Sequence, residues 1–143
     1  MPHLVILYTG QLDQAVEMKT LCRQLANAML TVKDEFGNQV FPTGGTRVLA
    51  YPAPHYAVAD DGAAGIAAGG DGEYAFVYLN LRMGRGRTEA THKLAGETLL
   101  GVAKTFFAPL MATKHMGVTL QIDVGQEVFD AKHSSLHPLF NKA

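Results

Sequence analysis

Pro2 is the residue of this sequence whose chemistry depends most on its position. Inside a chain its nitrogen is an amide, with the lone pair delocalised into the preceding carbonyl and no basicity. Once Met1 is removed it becomes a secondary amine, and an ordinary α-amino group titrates near pH ~8. Burial and neighbouring cations both disfavour the ammonium form, so an apolar pocket carrying arginines would bring this amine towards neutrality. A base titrating there can take a proton from one atom and return it to another. The ring also restricts the direction in which the amine points. Position alone favours a plainer alternative, a proline tolerated at the start of a strand.

The cations that could accompany such a base are arginines. The run Arg82-Met83-Gly84-Arg85-Gly86-Arg87 is a glycine-rich loop just ahead of a helical segment. Backbone N–H groups at a helix start attract anions, and a guanidinium adds a bidentate grip on a carboxylate. Gly84 and Gly86 would let a ligand approach the backbone. The plainer reading is a flexible basic loop. Arg47 opens a strand, where a solvated strand-end arginine is an equal alternative. His3, His55, His92, His115, His133 and His137 are scattered without metal-ligand spacing, so no metal is expected. His3 should face the side of its strand opposite to Pro2, in a structural role, and His137 reads as a capping or packing residue. Ser134 and Ser135 make no triad signature. Cys22 falls on an apolar helical stripe, as a buried, inert thiol. Tyr8, Phe76 and Tyr78 are core or pocket wall.

The elements that would position these groups follow from periodicity. Leu4 to Tyr8 is a short apolar run, a buried strand. Asp13 is placed to cap a helix whose stripe is Ala15, Met18, Cys22, Leu25, Met29 and Val32. After the Pro42 to Gly45 turn, Arg47 to Tyr51 read as a second strand. Tyr74 to Leu81 is a third, followed by a helix capped at Thr88 with Leu99, Val102, Phe106 and Leu110 on one face. Val118, Leu120, Ile122 and Val124 then alternate with polar residues, the pattern of a half-buried strand. The order strand–helix–strand is thus written twice. A βαβ unit makes its strands parallel. Two such units can form one four-stranded sheet with both helices on one face. The other face must then be covered, most economically by further copies of the chain.

The expected fold class is therefore α/β (α+β), one domain over residues 1–143 with halves at about 2–52 and 74–124. The Ala-, Gly- and Pro-rich stretch at about 53–72 is too poor in large apolar groups to pack a core and reads as a loop insertion. The tail, 125–143, carries Leu136, Leu139 and Phe140, enough apolar surface to dock. The 143 residues, 48% hydrophobic, can bury a core unaided. Twelve basic residues against thirteen acidic ones give no global footprint for nucleic acid. One cysteine excludes a disulfide framework and fits a reducing cytosol, so a cytoplasmic location is expected. MPHLVILY lacks the marks of a signal peptide, and no apolar run reaches the ~18 residues that span a bilayer, so no membrane partner is expected.

The start PHLV, the segment YAFVYLNLRMGRGR with AGE following, and the tail SLHPLF together resemble the 5-carboxymethyl-2-hydroxymuconate Δ-isomerase family of the tautomerase superfamily. The resemblance runs from Pro2 to Phe140, with an apparent insertion around Ala63 to Gly70. The family pattern after the third strand is Lys or Arg, a hydrophobe, Gly-x-Gly-Arg, then a helix. Here it stands as Arg82, Met83, Gly84, Arg85, Gly86 and Arg87. The resemblance implies a tandem βαβ subunit with a four-stranded mixed sheet and two helices on one face, assembled as a homotrimer. It implies an isomerase that needs no metal or cofactor, with Pro2 as general base. Its substrate would be a dicarboxylated 2-hydroxymuconate dienol from aromatic catabolism, converted to the conjugated ketone. It places Arg87 at the family's substrate-binding arginine and leaves Arg85 as a solvated charge. Arg47 stands where the family often has two arginines separated by one residue, and takes the place of one of them. Other outcomes compatible with the same fold are a tautomerase acting on phenylpyruvate-like enols and a non-catalytic trimer that binds a small ligand.

Overall fold

The computed structural model describes residues 2–140. Met1, whose removal the basicity expected of Pro2 would require, and residues 141–143 lie outside the described residues. The strands are β1 (His3–Thr9), β2 (Arg47–Ala53), β3 (Tyr74–Met83) and β4 (His115–Val124). The helices are α1 (Met18–Thr31), α2 (Ala63–Ala67) and α3 (Glu89–Met111). The strands form one sheet in the order β2-β1-β3-β4. β1 runs parallel to β2, β3 parallel to β4, and the central pair β1/β3 antiparallel. This is the four-stranded mixed sheet expected of two βαβ units.

One face of the sheet makes the core. Leu4 and Ile6 of β1 and Val77, Leu79 and Leu81 of β3 are fully buried beneath Leu21, Leu25 and Met29 of α1 and Leu99 and Phe107 of α3. Val48 and Ala50 of β2 and Val118, Leu120 and Ile122 of β4 flank that layer. The helical stripes agree in part with those read in the sequence: Met18, Leu25, Met29, Val32 and Leu99 are buried as expected. α1 begins only at Met18, because Gly10–Gln14 form a separate 3-10 turn. Leu21 rather than Cys22 is central to its buried face; Cys22 is half-buried, and burial pushes its thiol pKa up. In α3 the fully buried stripe is Ala95, Leu99, Ala103 and Phe107 with Thr91, while Val102, Phe106 and Leu110 pack at its margin. Thr88 does cap α3, its hydroxyl accepting from the Thr91 backbone N–H.

Asp13 caps no helix. Its carboxylate instead accepts a 2.6 Å hydrogen bond from the buried phenol of Tyr8. Burial, then the Asp13 hydrogen bond and charge, push that phenol up to about 12 from its usual 10. A phenol with a raised folded pKa contributes stability that is complete below pH ~10 and is lost as pH climbs towards about 12. Replacing Tyr8 with Phe is therefore expected to flatten the loss of stability across that window, measured by denaturant titration at stepped alkaline pH. An unchanged alkaline limb would mean Tyr8 ionises as freely folded as unfolded.

The stretch after β2 is not a bare loop. Asp60 accepts from the backbone N–H groups of Gly62 and Ala64 at 3.2 and 2.9 Å, which starts the short helix α2. The N–H of buried Gly65 donates to the Tyr74 hydroxyl at 2.9 Å. Gly62 has φ +88, and a β-carbon there would meet the Gly72 carbonyl at 2.2 Å, so both ends of the insertion close on each other through a glycine. Small residues pack here by backbone approach, which counting large apolar groups overlooks.

The opposite face of the sheet is uncovered and graded. The row Tyr51–Leu7–Tyr78 crosses β2, β1 and β3, with Leu7 48% exposed. Nearer the start of β1 the row is Arg47–His3–Arg82–Asp123. Between them Asn80 donates to Asp123 at 2.9 Å and accepts from the Arg82 Nε–H at 2.8 Å. Among the described residues no helix is long and apolar enough to cross a membrane.

Candidate active site

Topology brings three chain segments to Pro2. Because β1 and β2 are parallel, the segment leading into β2 arrives beside the start of β1. Because β1 and β3 are antiparallel, β3 ends there, and the Gly84–Arg87 loop leaves from the same point. Because β3 and β4 are parallel, β4 also ends there and releases the tail, fastened at its root by the Gly125 N–H donating to the Met83 carbonyl at 2.8 Å.

These segments enclose a cavity of about 220 Å³. Its apolar wall is Pro2, Val40, Phe41, Pro42 and Met83, and Pro2, Val40, Phe41 and Met83 are buried. Its polar wall is Arg85, Arg87, Lys132 and His137. Three obligate cations thus meet an apolar surface, with no carboxylate among the described lining residues. Burial and positive charge are the two influences that disfavour a protonated amine.

Arg87 is held by a 2.9 Å hydrogen bond from Nη2 to the Val40 carbonyl, which ties the loop after β3 to the segment before β2. The start of α3 behind it is already occupied by a carboxylate of the same chain. Glu35 accepts from the Thr88 and Thr91 hydroxyls, and these hydrogen bonds hold its carboxyl below the usual range. The anion-attracting helix start expected beside Arg87 is therefore committed internally, and the guanidinium groups carry the attraction. Arg85, read as a solvated charge, is exposed but lines the same cavity as Arg87.

Arg47 does not line this cavity. It borders a separate cleft of about 560 Å³ with Lys19, Cys22, Arg23 and Phe140, and donates from Nη1 to the Gly45 carbonyl at 3.3 Å. One chain therefore brings together Pro2, Arg85 and Arg87 but leaves Arg47 outside. His137, assigned a packing role, packs and lines the cavity at once: a β-carbon on Gly44 would lie 2.8 Å from its Nδ1 and 3.2 Å from its Cα. Lys132 was not singled out by the sequence, since it sits in a tail segment without periodicity. Among the described residues no group of three or more His, Cys, Asp or Glu could hold a metal ion.

Comparison with known proteins gives a consistent picture. The family described as 5-carboxymethyl-2-hydroxymuconate isomerase matches residues 2–140. A crystal structure of a 5-carboxymethyl-2-hydroxymuconate delta-isomerase is 62% identical and superposes with a TM-score of 0.96, covering 100% of this chain and 95% of that one. A 5-carboxymethyl-2-hydroxymuconate isomerase from Deinococcus radiodurans R1 is 29% identical with a TM-score of 0.80, covering 99% and 95%. The 5-carboxymethyl-2-hydroxymuconate Delta-isomerase of Escherichia coli is 25% identical over 140 residues, 98% of this chain and 99% of its own.

Proposed function

The chain belongs to the 5-carboxymethyl-2-hydroxymuconate isomerase family of the tautomerase superfamily, and from that premise we propose that it isomerises a 2-hydroxymuconate-type dienol dicarboxylate to the conjugated ketone. The observation that carries the reading is the buried Pro2 in a cavity lined by Arg85, Arg87 and Lys132 and, among the described residues, by no carboxylate. With Met1 removed, the Pro2 nitrogen takes the proton of the enol hydroxyl. The electron pair of that O–H bond becomes the carbonyl, the diene shifts, and the ring nitrogen returns the proton to a diene carbon. Nothing else is consumed or released. The cations favour the dienolate that forms between the two transfers.

Arg87 grips a substrate carboxylate from a guanidinium already oriented by the Val40 carbonyl. Arg47 opens onto a different cleft, so its participation requires a neighbouring copy of the chain. The uncovered sheet face and the exposed tail residues Val128 and Phe129 offer the surface for such an assembly, which we take to be a trimer.

Ketonisation rates across mono- and dicarboxylated 2-hydroxydienoates test the substrate class; no turnover by a chain starting at Pro2 would remove the reading. Arg87→Ala is expected to raise KM for carboxylate substrates by about ten- to a hundred-fold, the worth of a lost charge-assisted hydrogen bond, with a smaller change for Arg85→Ala. Equal losses would mean that both arginines, not Arg87 alone, hold the carboxylate.

A further inference from the structure

The tail does more than close the cavity. It is seated at a defined place: the Ser134 hydroxyl accepts from the backbone N–H groups of Leu136 and His137 at 3.0 and 3.2 Å, setting up the turn at His137–Leu139. That turn lies against Gly44, where the approach of His137 leaves no room for a β-carbon. Just upstream, Lys132 is carried to the cavity wall. It is the one obligate cation of that described wall which does not come from the loop after β3.

Its present partner is Asp130, at 3.1 Å, with both side chains about half exposed (46% and 53%). The Lys132 hydrogen bond holds the Asp130 carboxyl below its ordinary range. A pair this exposed contributes little, so a second carboxylate in the cavity can compete for the ammonium. Lysine suits that exchange, being a compact charge on a flexible stem.

We infer that Lys132 forms a second carboxylate subsite, which selects substrates with two carboxylates over those with one, Arg87 holding the first. The inference rests on the reading of the cavity as a dicarboxylate site, and binding can test it independently of turnover. trans,trans-Muconate and sorbate share the same diene and differ in having two carboxylates or one. Calorimetric titration of both into the full chain is expected to show tighter binding of muconate. In Lys132→Met, muconate affinity should fall by about ten- to a hundred-fold while sorbate changes less than about twofold. Lys132→Arg should restore most of the preference, and Asp130→Asn should tighten muconate by removing the competitor.

Muconate binding within about twofold of the parent in Lys132→Met, or equal losses for both ligands, overturns the inference. So does Asp130→Asn weakening muconate as much as Lys132→Met, since Lys132 would then act through the fold of the tail. A chain that discriminates muconate through Lys132 yet ketonises no dienol would leave this subsite standing and remove the isomerase reading.

Discussion

A chain beginning at Pro2 is expected to ketonise its dienol at least about a hundredfold faster than the same chain retaining Met1, because general base catalysis is worth roughly 10²- to 10⁴-fold and an amide nitrogen supplies none of it. The surroundings of Pro2 sharpen the expectation. It is buried at the head of β1 and shares its cavity with three cations. Each of these lowers the affinity of the amine for a proton. Its pKa should therefore fall below the ~8 of an ordinary terminus, so that kcat/KM rises with pH through that lower value and then levels. Intact mass identifies the form in hand, and the pH–rate profile of each form locates the base. Equal turnover by the form retaining Met1 would assign the proton transfer to another group.

Placing a carboxylate at the centre of the uncovered sheet face should take the assembly apart. Leu7 lies between Tyr51 and Tyr78 across the strands and is half exposed in one chain. In the proposed oligomer this face would be buried, and an unpaired charge inside an interface costs several kcal/mol. Leu7→Asp leaves the helix-covered core untouched, since its side chain points away from Leu4 and Ile6. Light scattering is expected to report the mass of a trimer for the parent and of a monomer for the variant at micromolar concentration, with activity falling alongside if Arg47 is supplied by a neighbour. A monomeric parent would remove the assembly, and a variant of unchanged mass would show that a different surface joins the subunits.

The strands and their order were legible because sheet burial prints itself as alternation. Leu4, Ile6 and Tyr8 face inwards while Val5 and Leu7 do not, and β4 repeats the pattern at Val118, Leu120 and Ile122. The helices were legible as elements, and their faces in part: Met18, Leu25 and Met29 of α1 and Leu99 of α3 are buried as read. Weighting large side chains picks out Leu99, Val102, Phe106 and Leu110, of which Leu99 is fully buried and the other three pack at the margin. The buried stripe of α3 instead uses Ala95 and Ala103, small residues that let the helix lie close to the rest of the core. The start of α1 was misplaced because Asp13 reads as a cap, whereas Tyr8, five residues earlier, claims its carboxylate. In the candidate site, Pro2 and the loop through Arg87 were visible as residue types in an order. Lys132 was not, because what brings it to Pro2 is the parallel pairing of β3 with β4 and the backbone approach at Gly44, neither of which leaves a periodic mark.

That the cavity takes its walls from segments far apart in the chain has a consequence for timing during synthesis. The residue proposed as the base leaves the ribosome well before Lys132 and His137. Until those two residues emerge, Pro2 lacks part of the wall around it. The reactivity proposed for it would await the folding of Lys132 and His137 into place beside Gly44, and a product interrupted before them would carry the proposed base without the enclosure that tunes it.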